Sequence, residues 1–387
     1  MSKVSLKRLG DLITLKRGYD LPEKDRISGP FPVISSAGVS GFHNDYKVEG
    51  QGVVTGRYGT LGEMYFVDGK YWPHNTALYV QSFKGNDPKY IYYLLSCLGR
   101  IRTSDKSAVP GVNRNELHEM AIPAIDDRKL QISIRKVLEA IDQKIELNNR
   151  INIELEAMAK TLYDYWFVQF DFPDANGKPY KTSGGKMVYN PTLKREIPEG
   201  WSDASLVDIA TFTNGIACQK YYPTGDEPTY KVIKIREFSS GFDDSSESVH
   251  QGVPEKVVVY DGDILFSWSA TLEVQLWTGG TGALNQHIFK VTSDSYPKTF
   301  YYFEVLKYLE YFKMVAELRK TTMGHITKDH LVASRVSLPP KELIQAMDAK
   351  LSPILSKIIS NNQQNSELSK LRDWLLPMLM NGQVTVK

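Results

Sequence analysis

The sequence predicts a mixed α/β (α+β) fold class. It has two tandem domains, each followed by a long α-helix, and the two helices form an antiparallel coiled coil with pseudo-twofold symmetry. Three observations lead there. Motifs of the first half of the chain return in the same order in the second. Short apolar runs broken by glycine and proline fill the front of each half, the pattern of strands and turns. Each half then closes on a stretch almost free of glycine and proline, with apolar residues at heptad spacing, the pattern of a coiled coil.

The repeat comes first, because it sets every later assignment. Gly10-Asp11-Leu12-Ile13-Thr14 returns as Val207-Asp208-Ile209-Ala210-Thr211, and Gly18 as Gly215, at an offset of 197. Pro88-Lys89 with Tyr92-Tyr93 returns as Pro297-Lys298 with Tyr301-Tyr302 at an offset of 209. Asn148-Asn149, Asn152, Glu154-Leu155 and Leu162 return as Asn361-Asn362, Asn365, Glu367-Leu368 and Leu375 at 213. An ordered series with a slowly drifting offset is a tandem duplication with loop insertions. The 387 residues suit two or three domains at ~150 residues each.

Residues 1–126 form the first domain, with strands expected at Gly52-Val53-Val54 and Gly62–Val67 and a helix around Tyr90–Leu98. The first long helix occupies 127–167, and 168–200 reads as a linker. Residues 201–340 form the second domain, with strands at Lys256–Tyr260 and Asp263–Phe266 and a helix over Thr299–Leu318. The second long helix lies in 341–387.

Counting in sevens puts Leu130, Val137, Lys144, Ile151, Met158 and Tyr165 in one row of the first long helix. Ile134, Ile141, Asn148, Leu155 and Leu162 form the row four residues on. The second copy runs Met347, Leu351, Ile354, Ile358, Asn361, Asn365, Leu368, Leu371, Leu375, Met378, with Pro353 expected to bend or restart it. Asn148 and Asn361 fall at the midpoints of 130–166 and 343–379. Antiparallel pairing therefore brings Asn148 and Asn152 to Asn361 and Asn365, where polar seam residues fix register.

Lys+Arg number 47 against 45 Asp+Glu, so the net charge of +2 by itself calls for no anionic partner. Two cysteines, Cys97 and Cys218, one in each half, exclude a disulfide scaffold and suit a reducing cytoplasm. No apolar stretch reaches the ~18 residues of a membrane span, and the N-terminus carries no signal-peptide run. Catalytic motifs are missing as well. Gly184-Gly185-Lys186-Met187 lacks the leading glycine and final Ser/Thr of a phosphate loop. Leu338-Pro339-Pro340 is not the tetrapeptide of an adenine methyltransferase, and Pro173-Asp174 has no second carboxylate and lysine for a nuclease. The seven histidines show no ligand spacing and read as structural, and the glycine run Gly50–Gly62 reads as strands and turns.

Basic residues do repeat. Arg100, Arg102, Lys106 and Arg114 give 96–115 a local charge of +3, and Lys313, Arg319, Lys320 and Lys328 give 313–328 the same. Lys16-Arg17, Arg57-Tyr58, Lys231, Lys234, Arg236 and His325 complete the DNA-binding candidates. Cations of this kind neutralise phosphates, and arginine also reads guanine in the major groove. A coiled-coil scaffold without DNA binding is disfavoured by the paired patches.

The run Thr161–Phe170 (TLYDYWFVQF) resembles the end of the central conserved region in specificity subunits of type I restriction-modification systems. Ile197-Pro198-Glu199-Gly200-Trp201 is similar to the opening of their second target recognition domain. Ala121-Ile122-Pro123 and Val336-Ser337-Leu338-Pro339-Pro340 resemble their domain-to-helix junctions. The resemblance covers essentially the whole chain. It implies a cytoplasmic, non-catalytic subunit in phage defence that reads a bipartite site on double-stranded DNA, one half per target recognition domain. It also implies two modification (methyltransferase) subunits and restriction (motor-nuclease) subunits as partners. S-adenosylmethionine, ATP and Mg2+ belong to those partners, so no cofactor, metal or catalytic residue is expected here. The alternative is the specificity subunit of a modification-only or fused restriction-methylation system.

Overall fold

The structure is a computed structural model that describes residues 4–56, 63–97, 113–318 and 325–386. The chain divides into two compact units, Met1–Ile145 with Glu367–Lys387, and Glu146–Ser366. The long helices Arg128–Tyr163 and Lys341–Met380 each contribute to both units.

In the first unit, Val4–Arg8 pairs antiparallel with Ala121–Ile125, joining the start of the domain to its end. Two four-stranded sheets follow. One has the spatial order Thr14–Arg17, Ala77–Ser82, Gly52–Gly56, Met64–Val67; the other Gly38–His43, Phe31–Ser35, Lys70–Pro73, Val48–Glu49. Gly52–Gly56 is buried along its whole length, which is why it reads as a continuous apolar run and not an alternating one. The helix Pro88–Cys97 buries Tyr90, Ile91, Tyr93, Leu94 and Leu95 in the main core with Leu15, Val53 and Leu78.

The second unit repeats this topology strand for strand. Ser202–Ser205 pairs with Arg335–Leu338. One sheet runs Thr211–Asn214, Ile288–Thr292, Ile264–Ser267, Glu273–Leu276, and the other Ser248–His250, Thr229–Ile233, Gly282–Leu284, Val258–Val259. Gly18 and Gly215 recur for a backbone reason. A Cβ on Gly18 would lie 2.1 Å from the His74 carbonyl oxygen, and one on Gly215 would lie 2.2 Å from that of Asn285.

Residues 168–200, expected as a linker, are folded onto the domain. Met187–Asn190 and Arg195–Pro198 make a hairpin, and the Phe172 ring stacks between Tyr180 at 4.7 Å and Trp201 at 5.4 Å. Asp174 belongs to a turn, its carboxylate accepting the Asn176 and Lys178 N–H groups at 2.8 Å each. A π-helical turn over Asp164–Val168 follows the first long helix. The extra residue that such a turn accommodates lets Trp166 and Phe167 both point inward. Tyr163 is buried behind them and donates to Glu304 Oε1 at 2.8 Å. Burial, reinforced by the Glu304 charge, raises its pKa.

Two details of the long helices correct the sequence reading. The row Ile134, Ile141, Asn148, Leu155, Leu162 does face inward, but its partner row lies one residue beyond the expected one. Gln131, Leu138, Asn152, Ala159 and Trp166 are buried, whereas Lys144 is exposed, Met158 is 57 % exposed and Tyr165 37 %. Both phasings obey heptad spacing, and polar Gln131 and Asn152 with small Ala159 concealed the correct one. Leu371 likewise faces outward. Pro353 neither breaks nor restarts the second helix, which is continuous from Lys341 to Met380. Its ring sits on the exposed side, where water can bond the freed carbonyl.

Candidate nucleic-acid interface

The seam asparagines meet within the second unit. Asn361 Nδ2 donates to Asn152 Oδ1 at 2.8 Å, and Asn152 Nδ2 to Asn362 Oδ1 at 2.7 Å. Asn148 Nδ2 donates to Asn365 Oδ1 and Gln364 Oε1, both at 2.8 Å, while Asn365 Nδ2 reaches Asn149 Oδ1 at 2.7 Å. Residue numbers rise on one helix as they fall on the other, so the segments are antiparallel. Asn148, Asn152 and Asn361 are buried, and each donates across the seam, while the Asn148 oxygen finds no partner among the described residues. Within the first unit, Arg372 Nη1 donates to Asp142 Oδ1 at 3.1 Å, and Leu379 and Met380 join the core around Ile134 and Leu138.

The basic candidates fall into three groups. Arg57, Tyr58, Arg100, Arg102, Lys106, Arg319 and Lys320 lie outside the described residues. Lys231, Lys234 and Arg236 are engaged internally. Lys231 Nζ donates to the Asp243 and Ser246 carbonyls at 3.3 and 3.1 Å, Lys234 pairs with Glu247, and Arg236 pairs with Glu237 at 2.5 Å and Asp243 at 3.3 Å. They hold the loop after the helix Ile235–Ser240. The third group is presented outward. Arg17 is exposed at the end of its strand, with Nε donating to the Asn75 carbonyl at 3.3 Å. Lys16 lies over the Tyr19 ring, its Nζ 5.4 Å from the centroid. Arg114 and Lys328 are exposed at the starts of short helices, and Lys313 pairs with exposed Glu310 at 2.8 Å.

His325 sits edge-on to Trp268 at 5.6 Å, and the Trp268 ring also lies 5.6 Å from His287. Trp268 Nε1 donates to Asn214 Oδ1 at 3.0 Å. Trp268, His287 and Asn214 escaped the sequence reading because they come from three distant segments; the offset of 211 that places Trp268 opposite Arg57 was the available signal. The five other histidines accept backbone N–H groups through a ring nitrogen: His43 from Ile27, His74 from Thr76, His118 from Leu15, His250 from Gly252 and His330 from Thr327. Among the described residues no group of three or more His, Cys, Asp or Glu could hold a metal ion, and no helix is long and apolar enough to cross a membrane.

A family model described as the type I restriction modification DNA specificity domain matches residues 1–157 and 198–370. The chain therefore belongs to the specificity subunits of type I restriction-modification systems. It is similar to the specificity subunit of the type I restriction enzyme MjaIX of Methanocaldococcus jannaschii, with 25% identity over 325 residues, 79% of this chain and 73% of that one. The HindI specificity subunit of Haemophilus influenzae is 22% identical over 356 residues, 77% of each chain. In fold it resembles the S subunit of a type I system from M. genitalium, with a TM-score of 0.62 at 13% identity, covering 98% of this chain and 96% of that one.

Proposed function

We propose that this chain is a non-catalytic, sequence-specific reader of double-stranded DNA that recognises a bipartite site, one half-site per domain. The observation that carries this reading is the strand-for-strand repetition of one topology in the two units. Two copies of one scaffold, differing in their outward side chains, suit two half-sites of different sequence. The seam asparagines fix the pairing register of the helices, since any other register leaves buried amides unpaired. Lys16, Arg114, Lys313 and Lys328, with Arg57, Tyr58, Arg100, Arg102, Lys106, Arg319 and Lys320, supply phosphate contacts, and Arg17 is a further cation facing the DNA. Lys231, Lys234 and Arg236 enter as supports of a loop. Two modification subunits and restriction subunits dock on this chain. They supply methyl transfer from S-adenosylmethionine and cleavage driven by ATP with Mg2+; the chain itself holds no cofactor.

The test is duplex binding by the assembled complex at several salt concentrations. Replacing Lys328 and Lys313 by alanine should weaken binding to every sequence alike and lower the salt slope by about one for each phosphate left without its cation. An unchanged slope after neutralising all the exposed cations named here removes them from the interface.

A further inference from the structure

One place recurs in both domains with its backbone kept and its side chains changed. In the first domain the Gly18 N–H donates to the Ala77 carbonyl at 3.0 Å, Tyr19 to Pro73 at 2.8 Å, His74 to Ile34 at 2.8 Å and Ala77 to His74 at 3.0 Å. In the second, Gly215 donates to Ile288 at 3.1 Å, Ile216 to Leu284 at 3.0 Å, Asn285 to Ile233 at 3.1 Å and Ile288 to Asn285 at 3.2 Å. These four matched bonds fix residue equivalences without any sequence alignment. Arg17 corresponds to Asn214, Asn75 to Gln286 and Thr76 to His287. The pairings of Gly56 with Ala77 and of Ser267 with Ile288 extend the match, so Arg57 corresponds by position to Trp268.

None of these four pairs keeps its residue, whereas the core positions Val53 and Val80 become Ile264 and Val291. Arg17, Asn75 and Thr76 in the first domain, and Asn214, Trp268, Gln286 and His287 in the second, therefore put different side chains on one kept backbone. All of them carry hydrogen-bonding groups. In the second domain Trp268 is tied to Asn214 and flanked by His287 and His325, whose Nδ1 atoms find no hydrogen-bond partner among the described residues. The Gln286 amide nitrogen lies 3.4 Å from His287 Nε2. In the first domain the Arg17 Nε bond to Asn75 orients the guanidinium, whose terminal nitrogens point outward unbonded among the described residues.

The geometry points to these two junctions as the base-reading elements that set the two half-sites, an inference that rests on the DNA-reading role proposed above. Asn214, Gln286 and His287 read one half-site, held in place by Trp268 and His325; Arg17 reads the other, flanked by Asn75, whose amide donates to Asp20, and by Thr76, whose hydroxyl is engaged by Ser36 and His74. Such side chains match base edges in the major groove, Arg pairing with guanine O6 and N7, and Gln or Asn with adenine N6 and N7. Arg17 thus favours guanine in its half-site and Gln286 adenine in the other. The backbone bonds beneath, with no room for a Cβ on either glycine, keep the presentation rigid, as discrimination requires.

The experiment is selection from a duplex pool randomised over both half-sites, using the full complex with its modification subunits. Gln286→Ala and His287→Ala should lower discrimination roughly ten- to hundredfold at one or two base pairs of a single half-site, leaving the other half-site as in wild type. Arg17→Lys should keep the salt slope, because the charge remains, but lose guanine preference in the other half-site together with the cognate affinity that preference supplies, because the bidentate fork is gone. These side chains are outside the main cores, and an unchanged melting temperature verifies folding. If wild type selects a bipartite sequence and the variants select the same one, or lose affinity uniformly across sequences, the junctions do not read bases. If wild type selects no sequence at all, the DNA-reading role itself falls.

Discussion

Asn152 and Asn361 give a quantitative test of the helix seam. Both are buried, and they share one hydrogen bond of 2.8 Å, with Asn152 donating onward to Asn362 at 2.7 Å. Asn361→Leu removes the donor and leaves the Asn152 oxygen buried against hydrocarbon. The missing bond costs ~1 kcal/mol and the orphaned acceptor another ~1–2 kcal/mol, so the single change should destabilise by ~2–3 kcal/mol. Asn152→Leu strands the Asn361 amide and should cost a similar amount. In a unit of this size 1 kcal/mol corresponds to ~2–4 °C, so each single variant should melt ~4–12 °C lower. The double variant replaces both partners by apolar groups, which is close to neutral for the pair; with only the half-buried Asn362 oxygen losing its donor, it should melt within ~4 °C of wild type. A double-mutant cycle from thermal melts followed by tryptophan fluorescence then yields a coupling of several kcal/mol. Additive losses, with the double variant the least stable of the four, would refute a seam held by reciprocal amides.

Gly215→Ala should destabilise by more than ~2 kcal/mol, because its Cβ meets backbone carbonyls of Asn285 and Leu284. Gly225→Ala, with nothing within 4 Å, should change stability by less than ~0.5 kcal/mol; equal melting temperatures for the two would contradict the close approach. Asp203 has a lowered pKa through hydrogen bonds from Arg335 and Asn190. A depressed folded pKa means this stabilisation is present above the unfolded value and disappears as pH falls through the folded one. Arg335→Gln should therefore move the acid-unfolding midpoint, followed by circular dichroism, to higher pH, and an unmoved midpoint would detach the pair from acid stability.

What the sequence disclosed depended on how locally each feature is encoded. The duplication was legible because the repeated residues do the same backbone work in both copies: Gly18 and Gly215 admit a carbonyl where a side chain cannot fit, and Asn148, Asn152 and Asn361 sit in the seam. The heptad phase was misread because apolar Leu130, Val137, Ile151 and Met158 flank the stripe, while its buried face includes Gln131 and Asn152. Gln131 is satisfied there by the Asn86 side chain, the Ile125 carbonyl and the Asp87 N–H, a network that no periodicity reveals. The folding of 168–200 escaped notice because its apolar residues, Phe170, Phe172 and Ile197, are widely spaced and gain partners only once the segment folds back onto Tyr180, Trp201 and Arg195. Candidate cations could be enumerated but not sorted, since pairing of Lys234 with Glu247 or Arg236 with Asp243 depends on loop closure. The junction at Trp268 and His287 was invisible because residues over 100 positions apart assemble it.

The central claim is that each domain reads its own half-site. Exchanging residues 201–340 for the equivalent segment of a relative with a different second half-site, then mapping methylated adenines across a host genome by long-read sequencing, tests it most directly. The account predicts a bipartite motif in which one half changes to that of the donor and the other half stays as in wild type. A motif in which both halves change together, or a single uninterrupted motif, would contradict it.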